Sequence, residues 1–280
     1  MKSSPKTWLI TGADKGLGFS AAKAALERGY NVVVTVLAPD GNHPLGDQYP
    51  DRFRSFHLNA KDFDRIPNVV ARCTQAFSRI DVLVNNAGYG LLGLIEETLP
   101  AKYRPLFDVN FFGLAEMTRA VLPVMRRQRS GHIINLSSVG GFDAAAGLGF
   151  YCASKFAVEG FSEALAQEVD SIGIHVTIVE PGPFRSDFAG GSLDSVSTNI
   201  DDYAAAADFV RDYQQMKHGK QPNDPAKFGP ALCTLVEAED PPLRLPLGVE
   251  AVERLRSQMA SVTAELDKWQ ELAYSTRFSE

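Results

Sequence analysis

A glycine-rich stretch, Thr11-Gly12-Ala13-Asp14-Lys15-Gly16-Leu17-Gly18, joins a short apolar run, Thr7–Thr11 (TWLIT), to a segment with helical spacing, Leu17–Gly29. A strand that passes through glycines straight into a helix leaves the first helical N–H groups open. It also lets a phosphate approach bare backbone, where the positive end of the helix dipole attracts it. Such a junction belongs to open α/β sheets whose strands end at a ligand crevice. A tight turn without a ligand uses the same residue types, so independent positions have to carry the reading.

The rest of the chain repeats the alternation. Asn31–Leu37, Phe53–Leu58, Val82–Asn85, His132–Ser137, Ile174–Glu180 and Leu243–Leu247 read as strands. Several are apolar on both faces, as in a parallel sheet covered on two sides. Pro67–Arg79, Pro100–Arg129, Ser154–Gly173 and Val249–Trp269 show helical spacing, with Gly29 and Gly173 where helix C-caps belong. The expectation is a doubly wound, Rossmann-like α/β parallel sheet with helices on both faces, a single domain over residues 1–280. Pro181–Pro225 departs from the pattern, with Gly190-Gly191, a Ser/Asp-rich run and an acidic-aromatic segment. Residues 183–228 therefore read as a substrate-binding insert or lid within that domain.

Composition excludes more than it selects. A net charge of −6 gives no basic footprint for nucleic acid. Cys73, Cys152 and Cys233 form no CxxC pair and read as reduced thiols. The five histidines, His218 among them, never share a helical turn, so no metal site is expected. No secretory h-region opens the chain and no run of 18 apolar residues occurs in it, so a soluble cytoplasmic protein without a membrane partner is expected.

Five further positions carry chemistry. Asn85-Asn86-Ala87-Gly88 closes the fourth strand, where small residues admit a close ligand and amides can tie strand ends together. Tyr151 and Lys155, in Tyr-Cys-Ala-Ser-Lys, lie four apart, on one helical face. A free phenol has a pKa near ~10, and a nearby ammonium is expected to lower it toward a useful acid/base. Ser138, at the end of the fifth strand, offers a hydroxyl to polarise a substrate oxygen. Asn110 lies within a helical segment just after Pro105, and Pro181-Gly182 follows the sixth strand. Each has a bland reading: a surface helix pair, strand-end turns, an Asn at a kink.

Together, in this order across residues 7–182, the segments TGxxxGxG, NNAG, Asn110, Ser138, YxxxK and Pro-Gly resemble the short-chain dehydrogenase/reductase family. The resemblance implies hydride transfer between a nicotinamide cofactor and a carbonyl or alcohol, with Asn110, Ser138, Tyr151 and Lys155 catalytic. Ser138 rather than Ser137 is the aligned serine, and Asn110 would hold a water beside Lys155. Gly12, Asp14, Lys15, Gly16, Leu17, Gly18, Leu37, Asn59, Asn86, Ala87, Gly88, Tyr151, Lys155, Pro181 and Gly182 would bind the cofactor. No acid ends the second strand and Lys15 can meet a 2′-phosphate, so NADP is expected, with NAD the alternative. Leu37 stands where NADP-using relatives often carry Arg, and Asn59 where Asp is common. Phe142, Leu148, Phe150, Phe184 and Phe188 are expected to wall an apolar cleft, with Arg185 a possible polar contact. Family members pair through helices like Pro100–Arg129 and Ser154–Gly173, which implies a homodimer or homotetramer. A non-catalytic cofactor-sensing protein or an epimerising enzyme are the rival readings. The first is disfavoured because Ser138, Tyr151 and Lys155 are all present.

Overall fold

The computed structural model describes residues 5–217 and 219–278, so His218 lies outside the described residues. The first half runs β1 (Thr7–Ile10), α1 (Gly16–Glu27), β2 (Asn31–Val36), β3 (Phe53–His57), α2 (Ile66–Phe77), β4 (Val82–Asn85), β5 (Gly90–Leu92), α3 (Pro100–Phe107) and α4 (Gly113–Gln128). The second runs β6 (Gly131–Leu136), α5 (Gly149–Val169), β7 (Ile174–Pro181), β8 (Leu193–Ser195), α6 (Ala204–Lys217), α7 (Phe228–Glu237), β9 (Arg244–Leu247) and α8 (Val249–Tyr274).

Seven strands form one sheet in the order β3-β2-β1-β4-β6-β7-β9, every pair parallel. Alternate residues feed two cores. Trp8, Ile10, Val32 and Val34 face α1 and α7, while Leu9, Val33, Leu83 and Ile133 face α2, α4 and α5. That double burial is why these strands read as unbroken apolar runs. The strand order reverses between β1 and β4, which opens a crevice at their C-terminal ends. Gly12, Asn86 and Ser138 all follow strands that end there.

Three expectations need correction. The segment Pro100–Arg129 is two helices joined by a π-turn, Asp108–Phe112, just past Pro105, which has no N–H to continue the ladder. The Tyr151 helix begins at Gly149, five residues before the Ser154 start read from spacing, so Tyr151 sits in its first turn. Within 183–228 and just beyond it lie a short strand and two helices that the spacing did not mark. β8 pairs with β5 in a separate two-stranded sheet, and α6 and α7 follow. Strands of three residues carry too few alternations to be seen, and Gly229-Pro230 at the start of α7 reads as a turn.

Candidate active site

The cradle at β1–α1 is fixed by close contacts with the loop after β4. Gly12 has φ +63°, and a Cβ there would lie 2.9 Å from Ala87 Cα. The Asn86 amide donates to Thr11 O (2.9 Å) and Gly12 O (2.7 Å), while Thr11 Oγ1 accepts from the N–H groups of Asn86 and Ala87. A Cβ on Gly18 would collide with that Asn86 amide. Asn86 thus ties the turn together rather than reaching outward. Asn85 does the same deeper in, donating to Thr118 Oγ1 and Asn135 Oδ1. No side chain caps α1, so its leading N–H groups remain available to a pyrophosphate. Glycines pressed against Ala87 and an uncapped helix start suit a dinucleotide.

At the end of β2 the geometry departs from expectation. Lys15 is turned toward the 183–228 segment, where its ammonium pairs with Asp187. The side chain beside Leu37 is Asp14, whose Oδ1 accepts from the Leu37 N–H at 2.8 Å. Leu37 itself is exposed. Asn59 holds its own turn, its Oδ1 accepting from Lys61 N–H at 3.3 Å.

The catalytic candidates converge on the first turns of α5. Tyr151 is buried beside Ser138, whose hydroxyl pulls the phenol's pKa down. A Cβ on Gly140 would lie 3.5 Å from both Ser138 Oγ and Tyr151 Cε1, so the two groups share one wall. Ser138 also caps the turn after β6, accepting from Gly140 N–H at 3.0 Å. Lys155, one helical turn on, is buried and donates from Nζ to Leu136 O at 2.8 Å. Asn110 sits in the π-turn, where Oδ1 accepts from Tyr89 N–H and Nδ2 donates to Tyr89 O and Ser154 Oγ. Its amide is therefore spent on backbone and α5. A Cβ at Gly88 would lie 3.1 Å from Asn110 Oδ1 and 3.6 Å from Lys155 Nζ, so Gly88, Asn110 and Lys155 meet. Pro181 ends β7 and the Gly182 N–H donates to Leu247 O at 2.9 Å, placing this turn at the same rim.

Burial pushes Tyr151 above an ordinary phenol, against the pull of the neighbouring Ser138 hydroxyl. Burial also pushes Lys155 down to about 8, against the opposing pull of Glu159. Desolvation thus acts on both groups, against the expected lowering of the phenol by the ammonium, and the amine is bonded to Leu136 O.

Of the aromatic wall, Leu148, Phe150 and Phe188 pack with Tyr151, together with Tyr89, Tyr103 and Val196. The Phe188 ring lies 5.4 Å from that of Tyr151. Phe184 turns instead into the core against Phe228, and Phe142 packs on Val139, Ala251 and Leu255. Arg185 Nε donates to Gln221 O, bracing the 183–228 segment rather than pointing into the cleft. Sequence reasoning missed Glu159, Glu180 and Arg244, a buried ionic cluster directly behind Lys155. The available signal was a glutamate four residues after Lys155, on the same buried helical face.

A parallel sheet in this order, a glycine cradle at its crevice and a Ser–Tyr–Lys cluster at its rim define a nicotinamide-dependent oxidoreductase. The chain belongs to the short-chain dehydrogenase family, whose model, described as short chain dehydrogenase, matches residues 6–196. Oxidoreductase BOA17 of Botryotinia fuckeliana is 35% identical over 97% of this chain and 99% of its own. A 3-ketodihydrosphingosine reductase of Bacteroides thetaiotaomicron is 37% identical over 87% of this chain and 88% of its own. Among solved structures, a short-chain dehydrogenase from Streptomyces avermitilis superposes with a TM-score of 0.91 at 41% identity, covering 99% of this chain and all of the other. Among the described residues, no helix is long and apolar enough to cross a membrane.

Proposed function

We propose that this enzyme interconverts an apolar ketone and its secondary alcohol, with Tyr151 as the proton donor and acceptor. The observation that carries the reading is the buried phenol, set beside Ser138 about Gly140 and lined by Phe188, Phe150 and Leu148. A phenol raised by burial is protonated at neutral pH, the form that donates a proton during reduction. A nicotinamide bound in the crevice would supply the hydride. Ser138 orients the substrate oxygen toward the phenol and takes part of the developing negative charge. Tyr151 then hands over its proton. Lys155, fixed by Leu136 O beside Gly88, has remaining N–H donors that would hold the cofactor ribose. The apolar wall keeps water out and suits a long or bulky hydrophobic ketone, in line with the name of the 3-ketodihydrosphingosine reductase relative.

On cofactor choice the adenosine end favours NAD(H) over the NADP(H) that Lys15 led us to expect. Asp14 presents a carboxylate beside Leu37, where a ribose 2′-hydroxyl would find an acceptor and a 2′-phosphate would meet repulsion. Lys15 is directed toward Asp187 instead. We also expect copies to pair through α4 and α5. The exposed Phe112 and Phe156 bear on that face, and light scattering would reveal a monomer if it is wrong. The test of function is a panel of apolar ketones and alcohols with both cofactors, read by nicotinamide absorbance. Turnover of apolar ketones with NADH supports the reading, and inactivity toward every carbonyl and alcohol with either cofactor overturns it.

A further inference from the structure

The last helix, α8, is seated at one end and bare at the other. At its start Ala251 and Leu255 pack on Val139 and Phe142. Arg254 donates from Nε to Asp143 Oδ2 at 2.6 Å and from Nη2 to Asp143 O at 2.8 Å. Glu250 Oε2 accepts from Asn223 Nδ2 at 3.2 Å. These contacts fix the direction in which the helix leaves the body. Beyond them every residue from 259 to 278 is exposed. Among the described residues, the side-chain hydrogen bonds of that stretch, from Thr263, Ser275 and Thr276, all close within it. Residues 259–274 thus form an arm of bare helix about 24 Å long.

The arm is not polar all round. Val252, Leu255, Met259, Val262, Leu266, Trp269 and Ala273 follow one another in steps that alternate between three and four. That is the seven-residue repeat of a helix that pairs with another along a seam. The first two sit at the seated end, and the others carry the same stripe into water, with Met259 50%, Leu266 64% and Trp269 58% exposed. Glu253, Arg254, Asp267, Lys268 and Glu271 fall at positions turned away from the seam, which leaves Arg256 and Glu265 as the charges beside it. A single helix of this length gains little stability from its own backbone in water. A continuous stripe of large apolar side chains left uncovered marks an interface.

We propose that the exposed half of α8 is a self-association surface, pairing antiparallel with the same half of α8 from a second copy as a short two-helix coiled coil, separate from the α4–α5 face. A seven-residue seam is its own complement, since each copy offers the same knobs and the same holes. Two bodies, each roughly 45 Å across, would crowd one another at the same end of helices whose axes lie about 10 Å apart, whereas opposed arms keep them apart. Arms of this length bury on the order of 500 Å² on each copy, close to the roughly 600 Å² per partner at the low end of specific interfaces. Opposed pairing also carries the exposed Tyr274 and Phe278 toward the other body, which adds to that area. A lipid surface fits less well. Residues 259–274 set Glu265, Asp267 and Glu271 against Lys268, while helices that lie on anionic membranes line their polar face with lysine and arginine. None of this depends on the catalytic roles given above.

The test measures mass in solution by light scattering for the wild type, Leu266→Asp and Lys268→Ala, together with cross-linking of Val262→Cys by a short bismaleimide, the three native cysteines being buried. Leu266→Asp should halve the mass and leave the thermal melt of the body in place, because Leu266 is exposed and not part of a core. Lys268→Ala, on the side turned away, should keep the wild-type mass, and Val262→Cys should yield a covalent pair. The mass that Leu266→Asp retains reports the α4–α5 face alone, two chains if that pairing holds and one if it does not, so the two readings fail separately. A mass unchanged by Leu266→Asp overturns the proposal, as does one lowered equally by Lys268→Ala, or a Val262→Cys chain that gives no covalent pair. Flotation of the wild type but not of Leu266→Asp with phosphatidylcholine–phosphatidylserine vesicles, at an unhalved mass, would make a lipid surface the occupant and overturn it too.

Discussion

The two sides of the cleft are built on different principles. The cofactor side, from Thr11 to Gly18 with Asn86 and Ala87, is held by backbone contacts and buried amide bonds that leave almost no room for a Cβ. The side that we assign to substrate, from Pro181 to Lys227, is held by a pair of three-residue strands, a bridge between Phe184 and Asn223, and exposed pairs such as Lys102–Asp194 and Tyr203–Glu96. Exposed pairs contribute little each, about 0 to 1 kcal/mol. The rigid side serves a ligand that does not change, and the loosely tied side can adapt its wall to the substrate.

The contrast can be broken most severely at the rigid side. Gly18→Ala drives a methyl group into the Asn86 amide and should cost about 1–3 kcal/mol of stability along with nearly all cofactor binding. Thermal melts and fluorescence titration with the dinucleotide would show both losses. On the adaptable side, Phe188→Ala removes the ring against Tyr151 and should raise KM for bulky apolar ketones by roughly 10- to 200-fold while leaving cofactor affinity unchanged. Steady-state kinetics on a size series would check it, since an effect independent of substrate size would mean the wall does not touch substrate. Asp14→Ser at the end of β2 should raise the preference for NADPH over NADH by about tenfold through lost repulsion. Unchanged ratios would remove the cofactor reading. The smallest effect is expected for Asp187→Asn, which loosens the Lys15 pair and should change stability by less than about 1 kcal/mol.

The same contrast decides what was legible in the sequence. Strands β1, β2, β4, β6 and β7 could be read because double burial makes them largely apolar runs, unlike the partly buried β3 and β9, and the cradle could be read because glycine is imposed there by contact with Ala87 and Asn86. Ser138, Tyr151 and Lys155 were singled out by their resemblance to the family's motifs, and the structure brings them to one rim. The substrate side stayed hidden: β5 and β8 are too short to show a pattern. Phe142 and Phe184 looked like wall residues because an aromatic next to a motif gives no sign of which way it turns. The direction of the phenol's pKa was also out of reach, since it depends on how much protein covers Tyr151 and on Lys155 being bonded to Leu136 O. Sequence spacing gave the neighbour but not the burial.

The most direct measurement is a pair of readings on Tyr151→Phe: single-turnover reduction of an apolar ketone and the dissociation constant of the cofactor. Removing the buried proton donor should slow the chemical step by about 10²- to 10⁴-fold while the dissociation constant stays within about twofold of the wild type. A variant that still reduces ketone at close to the wild-type rate would contradict the assignment of the phenol as the acid.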